Sequence, residues 1–232
     1  MKFKLLIICL FFSSFAMGQE IMLEEETENL YDVATFGANR KHFVHFFLGV
    51  GFHLPGEDNA ALNYWNTNAF MAGIRYKYKF SNMFSAGLDL HYKKSNFRYD
   101  QETQIIQDNQ FYEKERMVIH GVGPTCFLRI NFDEDRGNYI GNFIDFGFYY
   151  DWLPGSQYIT NDETGTNFFK EKETVYKNLK QLNSFEYGFS LRMSKNKYMF
   201  FLQYRLNDLF DEKYNYTKHP EAVIGLMFGI HN

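Results

Sequence analysis

The 232-residue chain carries 28 acidic and 24 basic side chains, a formal net charge of −4 and no basic tract. This balance gives no electrostatic reason to expect nucleic acid or an anionic membrane surface as a partner. Cys126 is the only cysteine outside the N-terminal leader, so an internal disulfide and a disulfide-stapled secreted scaffold are excluded.

Residues 1–18 have the features of a secretory signal peptide. Two lysines precede the apolar run LLIICLFF, and small residues at positions 16 and 18 precede Gln19. We therefore expect the mature chain to begin at Gln19. Residues 19–41, which include the acidic stretch EEETENL, are expected to form a short, flexible periplasmic segment before a barrel domain at residues 42–232.

A two-residue alternation between apolar and polar or small side chains begins at residue 43. In the first segment every even position is apolar, whereas the odd positions include His45, Gly49, Gly51 and His53. This periodicity is typical of β-strands with two different faces. It recurs in segments near residues 70–80, 84–93, 115–132, 143–152, 185–193, 198–206 and 222–230. The pattern predicts eight strands of roughly 10 to 16 residues, long enough to cross a bilayer at a tilt.

The connections between these segments alternate between short and long. Short links are expected at residues 81–83, 132–138 and 195–196, and longer loops at 55–67, 100–114, 153–174 and 208–219. Short periplasmic turns and long external loops are typical of outer-membrane barrels. Aromatic residues make up 20% of the chain, which suits strands and interfacial girdles.

The fold prediction is therefore an all-β, eight-stranded antiparallel up-and-down transmembrane β-barrel in the outer membrane, with both termini periplasmic. A soluble, lipocalin-like eight-stranded barrel is the alternative. Its apolar face would have to point inward. That arrangement leaves Arg75, Lys77 and Lys79 outside and gives no reason for the aromatic excess.

The polar strand faces are predicted to line a lumen that is only wide enough for side chains. Extending the strands from their tight turns places Arg75 opposite Asp89 and Glu186 opposite Arg205, so opposite charges meet on neighbouring strands. Lys77, Arg192 and Gln203 would extend the network. We predict a polar plug, with a buried switch or binding site as the alternative. The predicted network consists of Arg75, Asp89, Arg129, Asp145, Glu186 and Arg205.

Catalysis and metal binding have candidate residues but no motif. His53, at the external end of the first strand, is the most interesting acid or base. No serine stands in a G-x-S-x-G motif, and no H-x-x-x-H or C-x-x-C spacing supports a metal site formed by His45, His91 and Asp89. We predict no catalytic residue, metal ion or cofactor.

Several stretches resemble the small outer-membrane barrels often called PorT-like, of the Bacteroidota, within the wider OmpA-type barrels. They are the leader ending AMGQ, the strand FFLGVGFHL, the pair GIRYKYKFSNMFSAGLDLHY and the hairpin FEYGFSLRMSKNKYMFFLQYRLNDLF. The resemblance implies an outer-membrane barrel, and some members of this class are accessory factors of protein secretion. Gly225, Phe228 and Ile230 fit a barrel-assembly signal, whereas Val223 departs from its polar position.

The expected partners are outer-membrane lipid, the barrel-assembly machinery and another envelope protein, with no nucleic acid. The preferred function is a non-enzymatic structural or accessory subunit of an envelope complex for secretion or transport. The alternatives are a lipid- or lipopolysaccharide-modifying enzyme with His53 near the rim, and a narrow channel or small-ligand binder.

Overall fold

The computed structural model describes residues 35–56, 62–99, 114–133, 137, 139–162, 172–214 and 217–230. The predicted signal peptide and most of the expected periplasmic segment lie outside these residues. The described strands are β1 His42–His53, β2 Asn68–Lys79, β3 Phe84–Arg98, β4 Lys114–Asn131, β5 Asn142–Asp162, β6 Lys172–Lys177, β7 Phe185–Lys195, β8 Tyr198–Arg205 and β9 Ala222–Ile230. Two single 3₁₀ turns, Tyr64–Asn66 and Glu212–Tyr214, lie in the connections.

Eight of the strands close into a barrel. The order is β1-β2-β3-β4-β5-β7-β8-β9, with β9 pairing back onto β1, and every neighbouring pair is antiparallel. The predicted eight-stranded up-and-down barrel is therefore confirmed. Strand β6 lies outside this circle and pairs only with residues 157–162 of β5.

The prediction of a loop at residues 153–174 is wrong, because β5 continues to Asp162 and β6 begins at Lys172. The physical reason is a bulge. His120 of β4 pairs with Gly155, but Val122 pairs with Trp152, so two residues of β5 lie opposite one residue of β4. An extra residue reverses which parity faces outward. The alternation is interrupted there, and the regular sequence pattern therefore ends at Trp152.

The barrel exposes a continuous set of apolar residues on its outer face and encloses most of its charged strand residues. Along β1, Phe46 and Val50 are 57% and 58% exposed, whereas their neighbours His45 and Phe47 are 3% and 1% exposed. The same inversion holds around the barrel, and the side chains that are at most 1% exposed include Arg75, Lys77, Asp89, Arg129, Asp145 and Asp151. Water favours the opposite arrangement, whereas a bilayer favours this one. The soluble barrel is thus set aside, and the chain is a transmembrane β-barrel.

One end of the barrel, the turn end, contains the short connections after β2, β4 and β7. The residues just before β1 fold against it. Ala38 is 5% exposed and packs with Phe43, Ile140 and Phe143, and its carbonyl oxygen accepts a hydrogen bond from the Lys77 ammonium. The described part of the expected flexible lead, residues 35–41, is therefore packed against the barrel.

The opposite end, the loop end, is covered by a second apolar cluster, which we term the loop-end cap. His219 packs against it, with its ring centroid 5.4 Å from that of Phe97 and 5.0 Å from that of Phe210. The Tyr99 hydroxyl lies 2.7 Å from His219 Nε2. The cap consists of Leu62, Phe97, Tyr99, Met117, Ile119, Tyr158, Leu209 and Phe210.

Beyond the last β5–β7 pair, Trp152 with Phe185, part of the sheet continues past the barrel. We term this part the sheet extension. It consists of residues 94–98 of β3, of which 94–96 still pair with β2, together with 114–120 of β4, 155–162 of β5 and all of β6. Within the described ranges, no helix is long and apolar enough to span a membrane.

Candidate functional site

The middle of the lumen contains a chain of alternating arginines and aspartates, the central chain. Arg75 donates from Nε and Nη2 to the two Asp89 oxygens at 2.8 and 2.9 Å. Arg129 holds Asp145 in the same way at 2.6 and 2.9 Å. Arg192 joins the two pairs, because Nη1 contacts Asp89 and Nε lies 3.5 Å from Asp145 Oδ2. Two-point arginine–carboxylate contacts are among the strongest polar contacts in proteins.

Aromatic rings pack against these arginines. The ring centroid of Phe127 lies 5.4 Å from the guanidinium carbons of Arg75 and Arg129, and 4.8 Å from that of Arg192. Such contacts stabilise cations that have lost their water. Gly87 makes room for this ring, since a Cβ there would lie 2.3 Å from Phe127 Cζ. The sequence pattern shows lumen glycines but not which ring requires them.

A second group of charges, the loop-side cluster, lies nearer the loop end. Lys93 contacts Glu186 and lies 3.3 Å from Asp151 Oδ2. Tyr149 donates its hydroxyl to Glu186 at 3.1 Å, and His91 Nε2 lies 3.2 Å from Asp151 Oδ1. One ammonium therefore serves two buried carboxylates that come from different strands.

The predicted pairing of Glu186 with Arg205 is wrong. Arg205 lies opposite Gly188 on β7, and Glu186 lies opposite Asp151 on β5. The two-residue turn is 196–197 rather than 195–196, with Asn196 at a φ of 58°, a left-handed conformation that asparagine tolerates better than most residues. When a hairpin turn is shifted by one residue along the sequence, each residue of the first strand lies opposite a residue two positions further along the second strand.

Arg205 instead contacts the segment that leads into β9. Its guanidinium Nη2 donates to the backbone carbonyls of His219 and Pro220 at 2.9 and 3.2 Å. His219 is 3% exposed, and burial lowers its pKa to about 4. A backbone contact with Thr217 opposes that shift, and the charge of Arg205 supports it. The neutral imidazole is therefore the form that the cap accommodates.

The structure thus joins four of the six predicted network residues, Arg75, Asp89, Arg129 and Asp145, in the central chain. Glu186 belongs to the loop-side cluster, and Arg205 contacts the cap. The sequence reasoning omitted Lys93 and Asp151 from the network. Their parity was a usable signal, because they lie on the same strand faces as the predicted residues Asp89 and Asp145.

The residues of the expected barrel-assembly signal lie on both faces of β9. Gly225 packs against β1, where a Cβ would lie 2.1 Å from the Val50 carbonyl oxygen. Phe228 and Ile230 face outward and are 40% and 46% exposed. Recognition by the assembly machinery stays a prediction.

The histidines considered for chemistry are spread through the lumen. His53 is 5% exposed, and its ring lies 4.4 Å from that of Phe97, beneath the cap. The metal alternative joined His45, His91 and Asp89, but both Asp89 oxygens contact arginines, and His91 faces Asp151. Among the described residues, no group of three or more potential ligands is arranged to hold a metal ion.

Little free space is left between these side chains. Two cavities of about 10 Å³ each lie in the described lumen, one near His53, Lys93 and Arg205 and the other near Asp89 and Gln203. A volume of that size holds about one water molecule.

These features define a transmembrane β-barrel with a filled, charged lumen. No known protein family matches the chain, and no curated protein matches it. Two solved structures of Ail, the attachment invasion locus protein of Yersinia pestis, are similar at 12% identity and a TM-score of 0.34. One covers 82% of this chain and 95% of Ail. The other, in complex with the heparin analogue sucrose octasulfate, covers 80% and 94%. This distant likeness bears on neither activity nor partner.

Proposed function

We propose that this chain is a non-enzymatic outer-membrane protein that serves as a structural or accessory subunit of an envelope complex for secretion or transport. The observation that carries the proposal is the filled lumen. Arginines and aspartates pair across its middle, Lys93 pairs with Glu186 nearer the loop end, and the described cavities hold about one water each. A lumen filled in this way leaves the outer surface and the loop end for interaction.

The location is part of the same proposal. The predicted signal peptide at residues 1–18 and the lipid-facing exterior support the outer membrane, the usual site of single-chain barrels with this pattern. Short turns lie at the end that also holds both ends of the barrel domain, which supports a periplasmic turn end. The resemblance to PorT-like barrels supports the accessory role.

The test is capture of partners from the native membrane. The tagged full chain is cross-linked in intact cells and purified from detergent-solubilised membranes. We expect a reproducible set of envelope proteins beyond the barrel-assembly machinery, because an accessory barrel acts through a complex. Recovery of this chain alone, or with the assembly machinery only, would overturn the proposal.

Two further measurements address the alternatives. In planar bilayers we expect no conductance above background, because paired side chains occupy the pore, and reproducible conductance steps would support a channel. We also expect His53→Ala to leave the outer-membrane lipid profile unchanged. The reason is that His53 lies under the loop-end cap against Phe97 and not on the lipid-facing surface. A lipid change that the control variant His45→Ala, further toward the turn end of the same strand, does not cause would favour the enzyme.

A further inference from the structure

The outer face of the sheet extension carries a group of cations, which we term the basic face. Its members are far apart in the sequence, and the strand register brings them together: Asn96 pairs with Val118, Val118 with Gln157, and Gln157 with Lys177. Residues directly opposite one another share a face, as do alternate residues along a strand. The basic face consists of Lys94, Arg98, Lys114, Arg116 and Lys177.

Two arginines of this face lie directly opposite each other, Arg98 on β3 and Arg116 on β4. Like charges in directly opposite positions destabilise a sheet. The one carboxylate on this described face, Glu173, lies 4.0 Å from Arg116, and both side chains are more than 40% exposed, so their attraction is weak. An anion bound between the guanidinium groups would remove the repulsion and satisfy their donors.

Along β3, the basic face begins where the outward apolar residues end. On β3 the outward residues Leu88 and Leu90 are followed by Tyr92 and then by Lys94. The Tyr92 hydroxyl lies 2.7 Å from Nδ1 of His120 on β4, an aromatic pair of the kind found at membrane interfaces. Lys94 lies two residues further out, about 7 Å along the strand. On β3 the outward residues thus change from apolar to cationic at Lys94.

On the opposite side of the barrel, different kinds of residue point outward near the loop end. The outward residues there include Tyr204, whose hydroxyl donates to Glu221, and Asn207, whose amide donates to the Phe185 carbonyl. Asp208 is exposed nearby. The five cations of the basic face thus lie together on one side of the barrel.

We propose that the basic face binds the phosphate groups of anionic lipid headgroups in the leaflet at the loop end, with Arg98 and Arg116 sharing one phosphate. Guanidinium groups match phosphate oxygens in paired hydrogen bonds, and the lysines add attraction to a negative surface. Such contacts would hold lipid against one side of the barrel and orient that side within the membrane.

The test compares lipid binding by the full-length barrel and two triple variants. Lys94→Gln, Arg98→Gln and Arg116→Gln remove three charges from the basic face. Lys180→Gln, Lys213→Gln and Lys218→Gln remove three charges from described loops at the loop end that are not part of the basic face, and this variant forms the matched control. Native mass spectrometry measures binding of phosphatidylglycerol and phosphatidylcholine from mixed micelles, and unboiled electrophoresis verifies that each variant is folded.

Each cation near an anionic membrane surface contributes about fivefold to binding. We therefore expect phosphatidylglycerol affinity to fall by at least about tenfold in the basic-face variant and to stay near wild type in the control, with phosphatidylcholine unchanged in both. Equal phosphatidylglycerol binding by all three proteins would overturn the proposal, as would equal losses in both variants. Displacement of the lipid by inorganic phosphate at matched concentration would assign the face to free phosphate instead of lipid.

Discussion

The central chain and the loop-side cluster both pair buried charges, but they do so through different strand contacts. In the central chain, Arg75 and Arg129 each hold an aspartate on the adjacent strand, directly opposite in register. In the loop-side cluster, Lys93 of β3 reaches Glu186 of β7, and no direct strand pairing joins β3 to β7. Each arginine–aspartate pair of the central chain forms when two neighbouring strands pair, whereas the contacts of Arg192 with Asp89 and of Lys93 with Glu186 require a closed barrel.

The largest expected effect comes from breaking the central chain. Asp89→Leu leaves Arg75 and Arg192 without a carboxylate that both contact, so the free energy of unfolding should fall by about 3 to 5 kcal/mol. Urea unfolding in detergent, followed by the mobility of unboiled samples, measures this loss. The double variant Arg75→Met with Asp89→Leu should regain part of it. If Asp89→Leu is as stable as wild type, the central chain of arginines and aspartates contributes nothing to the stability of the protein.

The matching change in the loop-side cluster is Lys93→Met. It leaves Asp151 and Glu186 close together without their shared ammonium, and we expect a loss of about 3 kcal/mol. Adding Glu186→Gln should restore part of the stability, because one uncompensated carboxylate is removed. If the second substitution lowers stability further, the proposed charge balance of this cluster is incorrect.

A smaller effect concerns acid and the loop-end cap. The pKa of His219 is about 4 in the folded chain and about 6.5 when exposed, so the folded form binds fewer protons between these values. Stability of the cap is therefore unaffected above about pH 6.5 and falls as the pH drops toward 4, by about 2 kcal/mol between pH 7 and pH 5. Hydrogen exchange of residues 206–214 at the two pH values reports the opening.

The variant His219→Gln provides the control for that measurement, since a glutamine amide can reach Tyr99 without titrating in this range. Its protection factors, which correct for the pH dependence of intrinsic amide exchange, should be nearly the same at both pH values. Central-chain residues should keep their protection in wild type, because the cap and not the barrel opens. Loss of protection throughout the barrel at pH 5 would point to a different acid-sensitive group.

The smallest expected effect is that of Arg205→Leu. Arg205 donates to two carbonyls, and no ion pair joins it to a carboxylate among the described residues, so its loss should cost about 1 to 2 kcal/mol, less than Asp89→Leu. The same unfolding measurement compares the two variants. If the loss is as large as that of Asp89→Leu, the result would indicate that Arg205 does take part in a charge pair.

Much of the barrel architecture could be predicted from local patterns in the sequence. Period-two alternation identified the lumen residues His45, Arg75 and Asp145 because each strand has one buried face. The pairing of Arg75 with Asp89 followed from a tight turn that was placed correctly. The pairing of Glu186 with Arg205 failed because the turn of the β7–β8 hairpin is one residue further along, and hydrophobic pattern alone does not fix turn position.

The sequence by itself determined which side chains face lipid and which face the lumen, since that depends only on alternation and length. The tertiary structure alone decided which distant residues meet. Lys93 contacts Glu186 only because the sheet closes into a barrel. The cations at 94, 98, 114, 116 and 177 form one face only because four strands align there. A net charge of −4 and the absence of a basic tract concealed that face, because charge along the chain is not charge in space.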